Sequence, residues 1–144
     1  MEYGTELNVL DDLTKVGYTF SGWSEVPKTM PDNDVVVNGY FRVNKYAITY
    51  LLDNEVYFTD SLSYGENIVL IAEPSREGHS FSGWSDASET MPANNITISG
   101  QFTANTYQLT YILDGYVYTS MQVQYGTPLY WIANPTKEGY IFSG

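Results

Sequence analysis

The sequence predicts a mostly β protein, α+β at most, built from tandem copies of one small unit of about 61 residues. First, Phe-Ser-Gly recurs at a constant spacing, at residues 20–22, 81–83 and 142–144. Second, several short segments alternate apolar and polar residues with the period of two that is typical of strands. Third, no stretch keeps a 3.6-residue apolar period over three turns, as an amphipathic helix would.

The repeat covers the whole chain. When residues 1–83 are laid over residues 62–144 without a gap, 32 of the 83 pairs are identical. If the unit begins at the Tyr-x-x-Thr-Tyr segment, residues 46–106 form one complete repeat. Residues 1–45 are then the back part of a repeat, and residues 107–144 are the front part of another. The chain is therefore expected to be a section of a longer tandem array.

The complete repeat opens with a predicted β-hairpin. Residues 46–52 are rich in aromatic and β-branched residues, which favours a strand. Asp53-Asn54 is a predicted turn, and the next copy has Asp114-Gly115 there, one of the strongest two-residue hairpin signals. A second strand is predicted from about Glu55 to Tyr64, and Gly65 ends it.

The rest of the repeat is predicted to consist of loops and shorter strands in a mostly antiparallel arrangement. Residues 67–71 are a short apolar run, residues 74–78 a loop, and residues 80–84 a short extended segment. A last strand is predicted over residues 96–103, whose apolar and polar residues alternate, and residues 35–42 show the same alternation. Units of this size are marginally stable alone and gain stability from neighbours.

The composition indicates a folded protein that does not bind nucleic acid. Hydrophobic residues make up 43% of the chain and aromatic residues 16%, with 14 Tyr. Six Lys and Arg against 17 Asp and Glu give a net charge of −11, which repels phosphate backbones and anionic lipid surfaces. The sequence has no Cys, which excludes disulfides, thiolate zinc sites and Cys nucleophiles. It also lacks an apolar run of about 18 residues, so no membrane insertion is expected of this segment.

Residues that could carry catalysis or hold a metal do not recur as a cluster. His79 is the single His, and Tyr18 and Tyr140 occupy its position in the other copies, which favours a semi-exposed ring over a general base. Asp32-Asn33-Asp34 has oxygen ligands of the kind that Ca²⁺ prefers. Because Ala93-Asn94-Asn95 replaces it in the second copy, an acidic turn is favoured. The sequence therefore predicts no catalytic residue, no metal and no cofactor.

Two interpretations are open for Trp23 and Trp84, which follow Ser-Gly in both copies. Their rings could stack on a sugar or a peptide. Alternatively, they pack against Phe20 and Phe81 or the sheet, with the preceding glycine giving clearance for the backbone. This structural role is favoured because each copy must build its own core. The recurring structural signature consists of Phe20, Gly22, Phe81, Gly83, Phe102, Tyr50 and Tyr111.

Tyr130-Trp131 is specific to the third copy, since Val69-Leu70 occupies its place in the second. Trp131 thus replaces an aliphatic residue and is expected to be half-buried. Copy-specific aromatics can also serve recognition. Tyr130 and Trp131 are therefore candidate ligand-binding residues, together with Trp23 and Trp84.

Several long phrases resemble the Listeria–Bacteroides repeat, also called the internalin B-type B repeat. They are Tyr-x-x-Thr-Tyr-x-x-Asp-Gly-x-x-Tyr at residues 107–118, Tyr125-Gly126, and Pro-Thr-Lys-Glu-Gly-Tyr at residues 135–140. The later parts of the motif are present as Phe81–Ser85, Thr90–Pro92 and Gly100–Phe102. The resemblance covers nearly the whole chain. It implies tandem β-grasp-like (ubiquitin-like) units in large secreted or surface-anchored bacterial proteins, and it brings no catalytic residues.

The resemblance implies a non-enzymatic module of a bacterial extracellular or cell-surface protein whose anchor lies outside this segment. One role is a spacer or stalk that projects other domains. The alternative is an adhesion module that binds a host-cell or cell-envelope protein or glycan through exposed Trp and Tyr. A small hydrolase is disfavoured because no site supports it.

The two partial repeats predict open strand edges. Residues 1–45 lack the opening hairpin, and residues 107–144 lack the closing strand. Unpaired edges invite strand addition. The ends are therefore expected either to fray or to complement each other between molecules, which would be self-association through the incomplete repeats.

Overall fold

The computed structural model describes residues 2–8 and 10–144, and in this part of the chain it contains nine β-strands and no helix. The mostly β prediction is confirmed, while the β-grasp-like arrangement stays a prediction. The strands are β1 (Tyr18–Phe20), β2 (Phe41–Val43), β3 (Lys45–Leu52), β4 (Glu55–Ser63), β5 (His79–Phe81), β6 (Ile96–Gly100), β7 (Phe102–Ala104), β8 (Thr106–Leu113) and β9 (Tyr116–Gln124).

Two long hairpins, β3–β4 and β8–β9, form where the sequence predicts them. Asp53 and Asn54 both have positive φ, 51° and 67°. Asp114 and Gly115 also have positive φ, 51° and 83°. Positive φ at both central residues is the requirement of the turn that matches the twist of paired strands. Asp, Asn and Gly tolerate this conformation at low cost, and the turn chemistry therefore fixes where each hairpin folds back.

A parallel strand pair closes the complete repeat. β6 pairs in parallel with β3, which gives the strand order β4-β3-β6. The register sets Ile48 opposite Ile96 and Tyr50 opposite Ile98. Residues about 48 positions apart in sequence therefore share one face of the sheet, since alternate residues of a strand point to the same side. This pairing was not part of the sequence prediction, which is mostly antiparallel.

The core of the complete repeat is small and combines the hairpin with the later strand. Ile48, Tyr50, Met91 and Ile98 are the buried hydrophobic residues. The half-buried residues packed against them are Tyr46, Leu62, Ile68, Ile71, Trp84 and Ile96. With so few buried side chains, each one carries a large part of the hydrophobic stabilisation of the repeat.

The predicted last strand differs from the structure in two ways. In the complete repeat it is divided, because β6 ends at Gly100 and pairs with β3, whereas β7 begins at Phe102 and pairs with β5. In the first copy, β2 is the only part of the predicted last strand that forms, and residues 35–39 have no strand partner. The alternation is nevertheless kept, since Val35 and Val37 are half-buried while Val36 is 75% exposed. The pattern thus predicts which side chains face inward but not whether a partner strand is present.

The described residues divide into two compact units. One holds the residues up to Pro74 together with Phe81–Gln101, and it contains β1 to β4 and β6. The other holds Ser75–Ser80 and Phe102–Gly144, and it contains β7 to β9. The repeat boundaries at residues 46 and 107 stay predictions.

Two equivalent methionines test how much the hairpin contributes to the core. Met91 is fully buried beneath the hairpin, whereas Met30 has no hairpin over it and is half-buried. Replacing Met91 with Ala should lower the free energy of unfolding by about 2–5 kcal/mol, the usual cost of truncating a buried Met. Met30→Ala should cost about 1 kcal/mol or less, as for partly exposed positions. Urea unfolding of the full chain measures both, and equal losses would contradict the account.

Candidate functional site

Trp84 lies at the edge of the core of the complete repeat. Its indole Nε1 donates a hydrogen bond to the backbone oxygen of Ile71 at 3.1 Å. Its ring meets the ring of Tyr50 edge-on at 5.1 Å and that of Phe81 at 5.0 Å. Such edge-to-face pairs add to the stabilisation that comes from burial alone. The structure therefore places Trp84 where its ring joins the hairpin to the Phe-Ser-Gly-Trp segment.

A β-bulge brings a further ring to Trp84. The register of the β3–β4 ladder shifts between Tyr50 and Leu51, and Tyr57 on β4 is left without a direct partner. A bulge bends a strand and redirects the extra side chain. The Tyr57 ring lies 5.9 Å from that of Trp84, so one side of the indole is covered by a residue of the hairpin.

The clearance for these rings comes from glycines on the later strands, Gly100 and Gly39. A Cβ atom on Gly100 would lie 2.5 Å from the Phe81 ring and 3.1 Å from that of Trp84, so any side chain there would have to displace the Phe81 ring. Gly39 has the same relation to Phe20 and Trp23 in the first copy. By contrast, a Cβ on Gly22 or Gly83 would meet no atom closer than 3.7 Å, and both have a φ of +82°. These two glycines therefore serve a positive-φ backbone conformation, and the space for the rings lies over Gly39 and Gly100.

The other signature residues lie in the strands of their own copies. Tyr50 is buried, and Tyr111 is half-buried on β8. Phe20 packs against Trp23 with 5.1 Å between ring centroids. Phe102 is half-buried on β7, with the Arg76 guanidinium 4.2 Å from its ring centre.

Trp23 has a more open environment than Trp84. It is half-buried, and its Nε1 donates to the Asp11 backbone oxygen at 3.4 Å, but no hairpin ring covers it among the described contacts. It borders an apolar opening of about 490 Å³, here called the hairpin groove. The groove is lined by Leu7, Asn8, Leu10, Trp23, Val26, Met30, Val35 and Val37.

The structure corrects the expectation for Trp131. The side chain is 98% exposed rather than half-buried, and Tyr130 beside it is 80% exposed. Residues 127–137 form no strand, so they are not held against the hairpin by backbone pairing. Both side chains lie in the stretch that borders an opening of about 530 Å³, whose aromatic lining is Tyr111, Tyr118, Trp131, Tyr140 and Phe142.

A second recurring arrangement seats a tyrosine ring directly on a glycine. A Cβ on Gly17 would overlap the ring of Tyr64, and Gly17 is buried with a φ of +78°. Asn44 links the two residues, since its N–H donates to the Gly17 oxygen and its oxygen accepts from the Tyr64 N–H, both at 2.8 Å. The Tyr18 ring meets Tyr64 edge-on at 5.9 Å. We call this arrangement the tyrosine–glycine joint.

The joint occurs again 61 residues later in the same form. Gly78 lies beneath the Tyr125 ring, and Asn105 makes both equivalent hydrogen bonds at 2.8 Å. His79 replaces Tyr18 and meets Tyr125 edge-on at 5.7 Å. The third glycine of the series, Gly139, has a φ of +76°, and a Cβ placed on it would meet no atom within 4 Å. Sequence reasoning missed these residues, although their 61-residue recurrence was a signal that could have found them.

The titratable residues do not assemble a reactive site in the described part of the chain. Within residues 2–8 and 10–144 there is no group of three or more His, Cys, Asp or Glu that could hold a metal ion. At the Asp32-Asn33-Asp34 turn, the Asn33 amide donates to the Asp34 backbone oxygen at 2.9 Å. His79 is half-buried, and its Nδ1 lies 2.9 Å from the Glu77 backbone oxygen. In the described residues no helix is long and apolar enough to span a bilayer.

The family model of the Listeria-Bacteroides repeat domain matches residues 1–37, 46–106 and 107–144. The chain belongs to the Listeria–Bacteroides repeat family. This confirms the resemblance drawn from the Tyr-x-x-Thr-Tyr and Phe-Ser-Gly-Trp phrases. The repeated hairpins and tyrosine–glycine joints are therefore features of a Listeria–Bacteroides repeat array.

Three curated proteins are similar to this repeat array. Internalin H of Listeria monocytogenes is 33% identical over 113 residues, which cover 64% of this chain and 20% of Internalin H. A putative Gly-rich membrane protein of Evansella cellulosilytica is 26% identical over 167 residues, covering 99% of this chain and 19% of that protein. A putative membrane protein of the same organism is 25% identical over 138 residues, 83% of this chain and 20% of that protein. The chain thus spans about a fifth of the length of these relatives. No solved structure matches it.

The three tryptophans differ enough to separate a structural from a binding role. Trp84→Ala should lower the free energy of unfolding by about 3–5 kcal/mol, because it removes a ring that packs on the core. Trp131→Ala should change it by about 0.5 kcal/mol or less, because the side chain is almost fully exposed. Denaturant unfolding followed by far-ultraviolet circular dichroism measures both. A negligible loss for Trp84→Ala would show that this ring is not structural.

Proposed function

We propose that this chain is a non-catalytic spacer, a section of a stalk that holds other domains of a bacterial extracellular or cell-surface protein at a fixed distance. The observation that carries the proposal is the tyrosine–glycine joint. It connects the back part of one predicted repeat to the hairpin of the next, and it recurs with the same Gly, Asn and Tyr.

The joint has the properties that a stiff connection needs. The Tyr ring lies so close to the glycine that a Cβ atom there would be 2.1–2.6 Å from ring carbons, so a residue without a side chain is needed beneath it. One Asn holds both partners through its own backbone N–H and oxygen, at Asn44 and at Asn105. A Gly- and Ser-rich linker between repeats would instead behave as a flexible coil. Close packing together with two directional hydrogen bonds supports a connection that keeps successive repeats in one orientation.

The charge of the chain also supports an extended array. A net charge of −11 over 144 residues keeps the repeats soluble and makes them repel one another at low ionic strength. Repulsion between like-charged repeats disfavours folding back of the array. It also limits nonspecific association with other acidic surfaces.

The relatives support the cellular location. An internalin and two proteins described as membrane proteins contain segments similar to this chain, and in each the similar segment is about a fifth of the protein. A module of this kind is then one part of a larger protein, whose anchor and binding domains lie in other parts. A spacer between such parts needs no active site of its own.

Stiffness at the joint can be measured with two spin labels. The chain has no Cys, so labels on Lys28→Cys and Glu55→Cys, both at exposed positions, report a single distance across the first joint. Dipolar spectroscopy should give a narrow distance distribution for this labelled protein. Adding Gly17→Ala should broaden the distribution, because the new methyl group would overlap the Tyr64 ring and displace it.

Gly139→Ala is the matched control for this measurement. Gly139 holds the same motif position with nearly the same φ, but no ring lies over it. Its substitution therefore introduces similar backbone strain without disturbing a joint, and the distribution should stay narrow. A broad distribution in the labelled parent protein, or no response to Gly17→Ala, would contradict the spacer proposal.

A second candidate function is adhesion through the exposed aromatics of the third copy. It is favoured by Tyr130, Trp131 and Ile141, which are 80%, 98% and 97% exposed in one stretch beside an opening with a partly aromatic lining. Exposed flat rings bind sugars and peptides by stacking. A glycan array probed with the parent chain and with Trp131→Ala tests this candidate. Binding that is lost in Trp131→Ala supports adhesion, and the absence of any bound glycan removes the glycan form of it.

A further inference from the structure

We propose that Asp60 and Glu66 close the outer edge of the β3–β4 hairpin, so that β4 of one chain does not pair with β4 of a second chain. The proposal goes beyond the spacer role because it names a surface, the partner that fits it and the two side chains that control access. It does not depend on stiffness at the tyrosine–glycine joint.

β4 is an edge strand of the sheet of the complete repeat. The strand order is β4-β3-β6, so the later strand pairs with β3 on the side away from β4. In the described part of the chain, the other side of β4 pairs with no strand. Backbone groups along such an edge are a template for a strand of another molecule.

The backbone bonds show which N–H groups of β4 point toward this edge. The Ala47 N–H donates to the side chain of Asn95, next to β6, at 2.9 Å and therefore points away from β4. In an antiparallel pair, both residues of such a position turn their backbone groups away from each other. Ser61 is the partner of Ala47, so the Ser61 N–H points to the outer edge. Ser63, two residues further, points the same way.

Two carboxylates occupy these outward N–H groups. The Ser61 N–H donates to Asp60 Oδ1 at 2.8 Å, and the Ser63 N–H donates to Glu66 Oε2 at 2.8 Å. Hydrogen bonds to a charged acceptor are stronger than those to a neutral carbonyl. A strand that approached the edge would have to displace both carboxylates before its own carbonyls could bond. We call Asp60 and Glu66 the edge guard.

The backbone of Glu66 is anchored to the core. Its N–H donates to the Ser63 oxygen at 3.0 Å, and its oxygen accepts from the Met91 N–H at 2.8 Å. Met91 is fully buried. The Glu66 carboxylate is therefore held near the edge before any strand approaches, which lowers the entropy cost of closing it.

The turn that carries Glu66 forms without a carboxylate in the other copies. Thr5 and Thr127 occupy the position of Glu66. The Thr5 N–H donates to the Glu2 oxygen at 3.2 Å, and the Thr127 N–H donates to the Gln124 oxygen at 3.1 Å, as the Glu66 N–H does to Ser63. Since the turn does not need the acidic side chain, Glu66 is free to serve another purpose.

The opposite edge of the same sheet is also closed by side chains. On β6, the Ser99 N–H donates to Ser85 Oγ at 2.9 Å, and the Ser99 oxygen accepts from the Ser85 N–H at 2.8 Å. Ser24 makes the equivalent bond with the Asn38 N–H at 3.0 Å in the first copy. The serine closure thus recurs with the repeat, whereas the carboxylate closure is specific to the complete repeat. Both edges of its sheet are protected.

The partner that fits the edge is β4 of a second chain. The bulge at Tyr57 ends the regular part of the strand, so the residues after it set the register. Two antiparallel strands with Ser61 opposite Ser61 place Thr59 opposite Ser63, and the outward backbone groups of both then face each other. In this register Asp60 would lie opposite the apolar Leu62 of the second chain, which adds to the guard.

Disulfide trapping at Ser61→Cys tests the proposal, because the chain has no other Cys and directly opposed strand residues lie within disulfide reach. The variant is compared in three backgrounds: the parent, Asp60→Ala with Glu66→Ala, and Asp60→Asn with Glu66→Gln. The two double variants remove the same charge, but the amides keep an oxygen that accepts the N–H. Under mild oxidation the Ala background should give about tenfold or more crosslinked dimer than the parent, since bonds to charged groups are lost. The amide background should stay near the parent.

Ser99→Cys in the Ala background is the control for random collision, because Ser99 is exposed on the opposite edge strand. Equal crosslinking in the Ala and amide backgrounds would overturn the proposal, since charge alone would then explain it. No increase in the Ala background, or an increase that Ser99→Cys matches, would overturn it as well.

Amide exchange of the monomer by NMR tests each bond of the edge guard separately. Asp60→Ala should speed exchange of the Ser61 amide and leave the Ser63 amide unchanged, and Glu66→Ala should do the reverse. Both changed side chains are exposed, so each single variant is expected to fold. If neither amide responds to the loss of its carboxylate, the edge is not guarded and the proposal is wrong.

Discussion

Closure of the β3–β4 hairpin over a strand that arrives about 48 residues later is the interaction on which the rest of the repeat depends. It places Ile48 and Tyr50 against Met91 and Ile98, and these four side chains are the buried core. A unit of about 61 residues buries too little surface to tolerate the loss of either half. Folding of each repeat must therefore wait for a long-range parallel contact, which is slow to form compared with a local hairpin.

The contact between the hairpin and the later strand differs among the three copies. Where both halves are present, Met91 is buried and Trp84 has rings on several sides. Where the hairpin is absent, Met30 and Trp23 keep their local hydrogen bonds but border an open groove. Local sequence thus sets the backbone of each half, and contact between the halves determines burial. The tyrosine–glycine joint adds a connection of a different kind, since it links one copy to the next through residues other than the four buried core residues.

Features set by local chemistry could be predicted from the sequence, and features set by distant contacts could not. The Asp53-Asn54 turn and both hairpins follow from turn residues and alternation, and the structure confirms them. The parallel β3–β6 pair depends on a partner that no local pattern specifies. The same reason explains Trp131, where replacement of an aliphatic residue predicts partial burial but the stretch lacks the strand pairing that would hold it down. The ring contacts of Gly17 and Gly100 required the structure, although the recurrence of both glycines marks them in the sequence.

Hydrogen–deuterium exchange, resolved to single amides by NMR, tests the central claim most directly. The amides of Ile96–Gly100 and their equivalents at residues 35–39 differ mainly in the presence of the hairpin strand beside them. At low protein concentration, where association between molecules is negligible, the β6 amides that are hydrogen-bonded to β3 should be strongly protected. Those at residues 35–37 and 39 should exchange much faster, while the Asn38 amide, which donates to Ser24 Oγ at 3.0 Å, is left out of the comparison. Equal protection of the two segments would contradict the account, because it would mean that the back half of a repeat is stable without its hairpin.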